Sequence, residues 1–358
     1  MKGRFDSALR SRLINQQKAP CLILDGGMGT AMSNMGLNEY DAWSAPRRLN
    51  EAHIRDKVKE VHMNFLESGV DILTTSTYDF DYELDDTGPY QMKSQWVFEN
   101  LNLVRETVDE FMAKKSKSVD VLRPLLAMSV GSVATRITGR AETANREHEV
   151  DGECKRVEGY GYKDSEIMHY FNVRLGDDIL RHAAIYDVAV IAFETVGDLL
   201  EVQVICDVLK TKADLLAETA MSTWVTLTCL DEETVDTGGS VTSCFELLAK
   251  CPQVTGVGVN CTEPHLVTPI IGKIKQVLKE CNAEDKLIVV YPNSGEIYLS
   301  RALKDGETNY WKAHSSYKDW NFADAAMEWI DNGAHIVGGC CRITAQNIAE
   351  LAKKVGKL

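Results

Sequence analysis

The chain has 358 residues, 44% hydrophobic and 26% charged, with a formal net charge of −14. This balance fits a soluble globular protein with a full core, and one alternating β/α barrel can occupy the whole length. The acidity disfavours phosphate backbones, so no nucleic-acid partner is expected.

Residues 1–20 are polar and charged, without the apolar centre of a signal peptide, and read as an N-terminal lead-in. No apolar run approaches the roughly 20 residues of a membrane span. The expectation is an intracellular, cytoplasmic protein with no membrane partner.

Short apolar segments then recur at 21–25, 70–75, 125–130, 188–194, 223–228, 256–260, 287–291 and 335–339. Their near-continuous apolar character predicts strands buried on both faces, as in a parallel sheet. Between them the pattern turns helical. Ile54, Val58, Val61, Phe65 and Leu66 share one face, with Gly69 as a stop, and a single helix is expected over 167–185. Eight alternations predict an α/β fold, a (β/α)8 TIM-type barrel forming one domain over 1–358. Polar stretches at 135–163 and 305–321 are expected to be loops, either covering the barrel mouth or plain solvated insertions.

In such a barrel, chemistry sits where strands end at their C-terminal side. The segments there are Asp25-Gly26-Gly27-Met28-Gly29-Thr30, Thr74-Thr75-Ser76-Thr77-Tyr78, Glu194-Thr195, Asn260-Cys261-Thr262-Glu263, Tyr291-Pro292-Asn293-Ser294-Gly295 and Gly338-Gly339-Cys340-Cys341-Arg342. The glycines after Asp25 do not match a dinucleotide loop and instead allow close backbone approach to a small ligand. There are ten cysteines, expected in a reducing compartment to be thiols, metal ligands or buried small residues rather than disulfides. Cys261, Cys340 and Cys341 fall on converging strand ends. They can form a three-thiolate zinc site with an open fourth position, or they can be buried small residues. Three thiolates weaken the Lewis acidity of zinc, which suits holding an exogenous thiolate better than activating water.

At these residues the chain resembles the homocysteine S-methyltransferase family. The matching segments are 24–30, Trp43-Ser44, Thr74 to Tyr78, Phe193-Glu194-Thr195, Gly258 to Thr262 and Gly338-Gly339-Cys340-Cys341. The resemblance implies that Cys261, Cys340 and Cys341 hold one zinc ion per chain, that Glu194 takes the amino group of homocysteine, and that Asp25 lies beside it. It also implies that Gly26 and Gly27 present backbone near the ligand and that Tyr78 and Asn260 line the pocket; the alternatives are that Asn260 ties down a barrel loop and that Tyr78 is packing. A monomer or small homo-oligomer is expected. The implied reaction moves a methyl group from a sulfonium donor, S-methylmethionine or S-adenosylmethionine, to homocysteine, giving methionine.

The segment Gly131-Ser132-Val133-Ala134 departs from the family's proline-tyrosine version, and the loop after it is longer than usual, so donor choice is the open part. Absence of the C-terminal extension of betaine-dependent members, and of cobalamin and folate modules, favours the sulfonium donor over betaine. Selenocysteine, selenohomocysteine and other thiols remain alternative acceptors. A zinc hydrolase is disfavoured, because no His-x-His or His-Glu-x-x-His pattern occurs. A non-enzymatic zinc- or thiol-binding protein is the remaining rival.

Overall fold

The computed structural model describes residues 8–15, 19–37, 45–78, 90–115, 122–134, 149–150, 153–154, 161–298, 311–312, 317 and 320–358. Trp43-Ser44 and most of the loops expected at 135–163 and 305–321 lie outside the described residues.

Eight parallel strands form the expected barrel: β1 Leu22–Ile23, β2 Ile72–Thr74, β3 Leu125–Gly131, β4 Val188–Val196, β5 Ser222–Leu227, β6 Gly256–Asn260, β7 Leu287–Tyr291 and β8 Ile336–Val337. Each pairs with its sequence neighbour from β2 to β8. β1 pairs with β8, and a parallel bridge from Leu24 to Ile72 closes the ring. Antiparallel pairs of two residues each, Glu149–Val150 with Glu153–Cys154 and Ile297–Tyr298 with Trp311–Lys312, stand outside the barrel sheet.

Alternation along the strands sorts side chains into two buried layers. Leu22, Leu24, Ile72, Ala127, Val190, Ala192, Trp224, Val289, Tyr291 and Ile336 fill the barrel interior. Ile23, Leu73, Ile191, Phe193, Val225, Val257, Val290 and Val337 face outward and pack under the helices. The helix at Ala52–Glu67 buries Ile54, Val58, Val61, Phe65 and Leu66 on its inner face, and Gly69 follows at φ +90°. Burying a face like this is the main source of stability for a helix of that length.

Two features depart from the expectations. The single helix over 167–185 is two, Asp164–Arg174 and Asp177–Ile185, because Gly176 adopts an extended backbone and caps the second. The second is an addition, since the N-terminal lead-in carried no structural expectation. Its helix, Ala8–Asn15, inserts the fully buried Leu9 into the interior cluster, with Leu13 packed beside it. No helix among the described residues is long and apolar enough to cross a membrane.

Candidate active site

Three cysteine sulfurs meet at the C-terminal ends of the strands. The ligand atoms of Cys261, Cys340 and Cys341 all lie within 4.8 Å of one another, and Cys261 Sγ is 4.0 Å from Cys341 Sγ. Alternation alone would not bring Cys261 there. Asn260 continues the inward series of β6, so the next side chain should point outward. Cys261 instead has φ +49°, a left-handed turn at the strand end. Cys340 and Cys341 sit on the turn after β8, held by Cys340 N–H donating to Pro292 O at 2.8 Å and Cys341 N–H donating to Asn293 Oδ1 at 3.1 Å.

Cys261 and Cys340 lie side by side, and Cys341 stands outside that pair. Their Cα atoms are 5.5 Å apart, close enough for both side chains to reach one metal ion. As thiolates, this donor set fits zinc. Bonds of about 2.3 Å in a tetrahedral arrangement separate sulfurs by roughly 3.8 Å, close to the spacing of Cys261 and Cys341. Cys21, Cys206, Cys229, Cys244 and Cys251 are buried thiols away from this cluster, as expected of small apolar residues.

Gly26 and Gly27 explain how the end of β1 reaches the cysteine turn. A Cβ on Gly26 would sit 2.5 Å from Ile343 O, and one on Gly27 would sit 2.6 Å from Cys340 O. Only glycine permits this approach. Gly27 N–H donates to Ile343 O at 3.0 Å, and Gly339 N–H donates to Asp25 O at 2.9 Å, fastening the two turns together.

Two buried carboxyls share this face. Asp25 Oδ2 accepts from the backbone N–H and the hydroxyl of Thr74, each at 2.8 Å. Glu194, facing the interior from β4, accepts from Ser129 Oγ at 2.6 Å and from the Tyr291 hydroxyl at 3.2 Å. Burial raises the pKa of Asp25 to about 7 against the lowering effect of the Thr74 bonds. Burial also raises Glu194 to about 7, the charge of Asp25 adds to the rise, and the bonds from Ser129 and Tyr291 oppose it. Two acids poised this way accept a cationic group readily, because a nearby positive charge favours their ionised forms.

Asn260 is committed to the protein. Its Oδ1 accepts from Thr195 N–H at 2.7 Å and Thr226 Oγ1 at 2.8 Å, and its Nδ2 donates to Thr195 Oγ1 at 2.8 Å. Tyr78 belongs to the seam between β2 and β3. Its carbonyl accepts from Gly131 N–H at 3.1 Å and from Arg174 Nη1 at 3.0 Å, and its ring packs on Gly131. Of the residues that hold these groups, Thr74 and Tyr291 are among the strand-end residues read from the sequence, without a named partner, and Ser129 and Thr226 are not. They lie on neighbouring strands, so alternation along β4 and β6 does not reach them; the register between strands does, as where Asn260 pairs with Tyr291.

The family model described as homocysteine S-methyltransferase matches residues 22–355. Homocysteine S-methyltransferase 1 of Arabidopsis thaliana is 28% identical over 97% of this chain and 97% of its own. Selenocysteine methyltransferase of Astragalus bisulcatus is 28% identical over 94% of this chain and 93% of its own. Among solved structures, the metallated form of the homocysteine methyltransferase MmuM from Escherichia coli superposes with a TM-score of 0.71 at 21% identity, covering 97% of this chain and 99% of that one. It shares the fold, and apo and oxidised forms of it have also been solved.

Proposed function

The chain belongs to the homocysteine S-methyltransferase family, and we propose that it transfers a methyl group from a sulfonium donor, S-methylmethionine or S-adenosylmethionine, to the sulfur of homocysteine. The observation that carries the reading is the meeting of three cysteine sulfurs within 4.8 Å on the barrel face that also holds two buried carboxyls. A thiol-rich corner beside an acidic one matches an acceptor with a thiol at one end and an ammonium group at the other.

In this reading Cys261, Cys340 and Cys341, as thiolates, hold one zinc ion. Zinc, when bound, lowers the pKa of the acceptor thiol while leaving the sulfur nucleophilic. Glu194 receives the ammonium group of homocysteine, held in orientation by Ser129 and Tyr291. Asp25, fixed by Thr74, keeps a second negative charge near it. The close-packed Gly26-Gly27 turn brings backbone up to the same acceptor. The donor sulfur becomes a neutral thioether as its methyl leaves, so that step needs no general acid. Orientation and exclusion of water supply much of the rate. MmuM, metallated in its solved form, supports a metal in this barrel family. The selenocysteine methyltransferase relative favours testing selenocysteine as a second acceptor.

The test uses reduced, zinc-loaded protein with homocysteine or selenocysteine and, in turn, S-methylmethionine, S-adenosylmethionine and betaine. Methionine formed from a sulfonium donor, lost in Cys340→Ala, is the expected result. One zinc per chain with no methylated product from any donor would overturn the reading.

A further inference from the structure

Six non-glycine residues among those described have positive φ: Asp187, Thr195, Ala220, Cys261, Asn282 and Arg342. Asp187, Ala220 and Asn282 follow the ends of helices, where a left-handed residue commonly closes the last turn. The other three lie at the site. Thr195 follows Glu194, Cys261 is one of the three converging sulfurs, and Arg342 follows Cys341. Thr195 is the most costly, because a β-branched side chain at φ +61° is sterically disfavoured and persists only where its surroundings hold it.

Asn260 does the holding. It grips Thr195 twice, through the backbone N–H and the hydroxyl, from the residue immediately before Cys261. Polar contacts continue across β5. Thr226 Oγ1 donates to the same Asn260 oxygen and touches the Tyr291 hydroxyl at 2.8 Å, and that hydroxyl gives its one proton to Glu194, the neighbour of Thr195. Cys261 N–H donates to the backbone carbonyl of Tyr291 at 3.4 Å, which ties the sulfur turn to β7.

We propose that Asn260 is a positioning residue: its side chain locks the left-handed turn at Thr195 and so fixes the Glu194 carboxyl relative to the Cys261 sulfur. The family resemblance implies a pocket-lining residue, and the alternative is a tie on a barrel loop. The structure commits both acceptor sites of its oxygen and one amide hydrogen inside the protein. Without the clasp, Thr195 relaxes to negative φ and turns the peptide that follows Glu194. The ammonium subsite and the cysteine cluster then lose their common reference.

The inference rests on the methyl-transfer reading, so wild-type methyl transfer to homocysteine is measured first; its absence counts against that reading alone. Asn260→Ala is made in the wild-type and in the Thr195→Gly background, because glycine adopts positive φ without the steric cost. Two quantities are read: the homocysteine KM, and zinc retention against a chromogenic chelator, which needs no turnover. In the wild-type background Asn260→Ala is expected to raise KM and weaken zinc retention about tenfold each. In the Thr195→Gly background the same change is expected to cost less than about threefold. If Asn260→Ala folds only with Thr195→Gly, that rescue supports the clasp directly. The isosteric Asn260→Asp, which keeps the two bonds to its Oδ1 and can reverse the third by accepting from Thr195 Oγ1, is expected to stay within about threefold of wild type. Equal losses in both backgrounds, or a tenfold rise in KM for Asn260→Asp, would assign Asn260 to direct contact with substrate and overturn the proposal.

Discussion

Replacing Glu194 with glutamine should move activity and stability in opposite directions. Glutamine keeps the shape and can still pair with Ser129 and Tyr291, but it cannot ionise. Removing one partner of a buried, hydrogen-bonded charge pair costs about 2–5 kcal/mol, which at about 1.4 kcal/mol per decade centres on a rise of roughly 300-fold in homocysteine KM. The ligand-free protein should gain stability. In the fold Glu194 gives up its proton at about 7 rather than at the ordinary 4.5. Between those values the unfolded chain has released the proton and the folded chain has not, so wild-type stability falls as pH rises. At about 1.36 kcal/mol per pH unit the loss approaches about 3 kcal/mol above pH 7. Glu194→Gln escapes it, so the two proteins should match near pH 4.5 and separate by up to that amount at pH 8. Urea unfolding of ligand-free protein at both pH values measures the gap. Steady-state kinetics with homocysteine and with 4-mercaptobutanoate, which lacks the ammonium group, measures the subsite. Below pH 7 the wild-type homocysteine KM should also rise, approaching tenfold per unit, as the carboxyl protonates. An unchanged homocysteine KM in Glu194→Gln, or an equal rise for both acceptors, would refute the ammonium assignment. A stability gap independent of pH would refute the electrostatic reasoning.

Other outcomes follow from the same physics elsewhere in the barrel. Glu201 is fully buried, accepts from Val133 N–H at 2.7 Å and from Ser132 Oγ at 2.8 Å, and burial raises it to about 8. Glu201→Gln should therefore match wild type near pH 4.5 and be more stable at pH 8.5, by up to about 5 kcal/mol, in urea titrations at the two pH values. Leu9→Ala should leave a hole in the barrel interior and cost about 2–5 kcal/mol of unfolding free energy. Because Leu9 lies in the interior layer rather than among the strand-end side chains, the homocysteine KM should stay within about twofold; a rise in parallel with the stability loss would show that the interior layer sets the site geometry.

The barrel was readable because parallel strands buried on both faces leave apolar runs that survive without any knowledge of partners. The segments at 256–260 and 287–291 coincide with the strands Gly256–Asn260 and Leu287–Tyr291. What was lost depended on single residues acting against the local pattern. Gly176 splits one helical stretch in two, although the residues on both sides favour helix. The N-terminal helix is short and polar, and its role rests on Leu9 reaching an interior built by strands far away in sequence. Neither Leu9 nor its neighbours announce that destination.

At the site, residue type was legible and direction was not. Strand-end logic brought Cys261, Cys340, Cys341, Asp25 and Glu194 to one face, since parallel strands all end there. Side-chain alternation, followed strictly, would have turned Cys261 away from it. Its place among the sulfurs depends on a left-handed backbone, and a second such turn at Thr195 is held by hydrogen bonds from Asn260, 65 residues along the chain. That energy is non-local: nothing within a few residues of Cys261 or Thr195 favours positive φ, and both turns persist only in the assembled barrel. The sequence offers Asn260 either as pocket lining or as a tie on a barrel loop, and neither reading names Thr195, the residue it bonds. A polar residue buried before a candidate ligand is first a claim on hydrogen-bond partners, and in a barrel those partners are the inward-facing residues of the adjacent strands. Applied to β6, that reasoning leads from Asn260 across Thr226 of β5 to Thr195 of β4, and so to the carboxyl of Glu194.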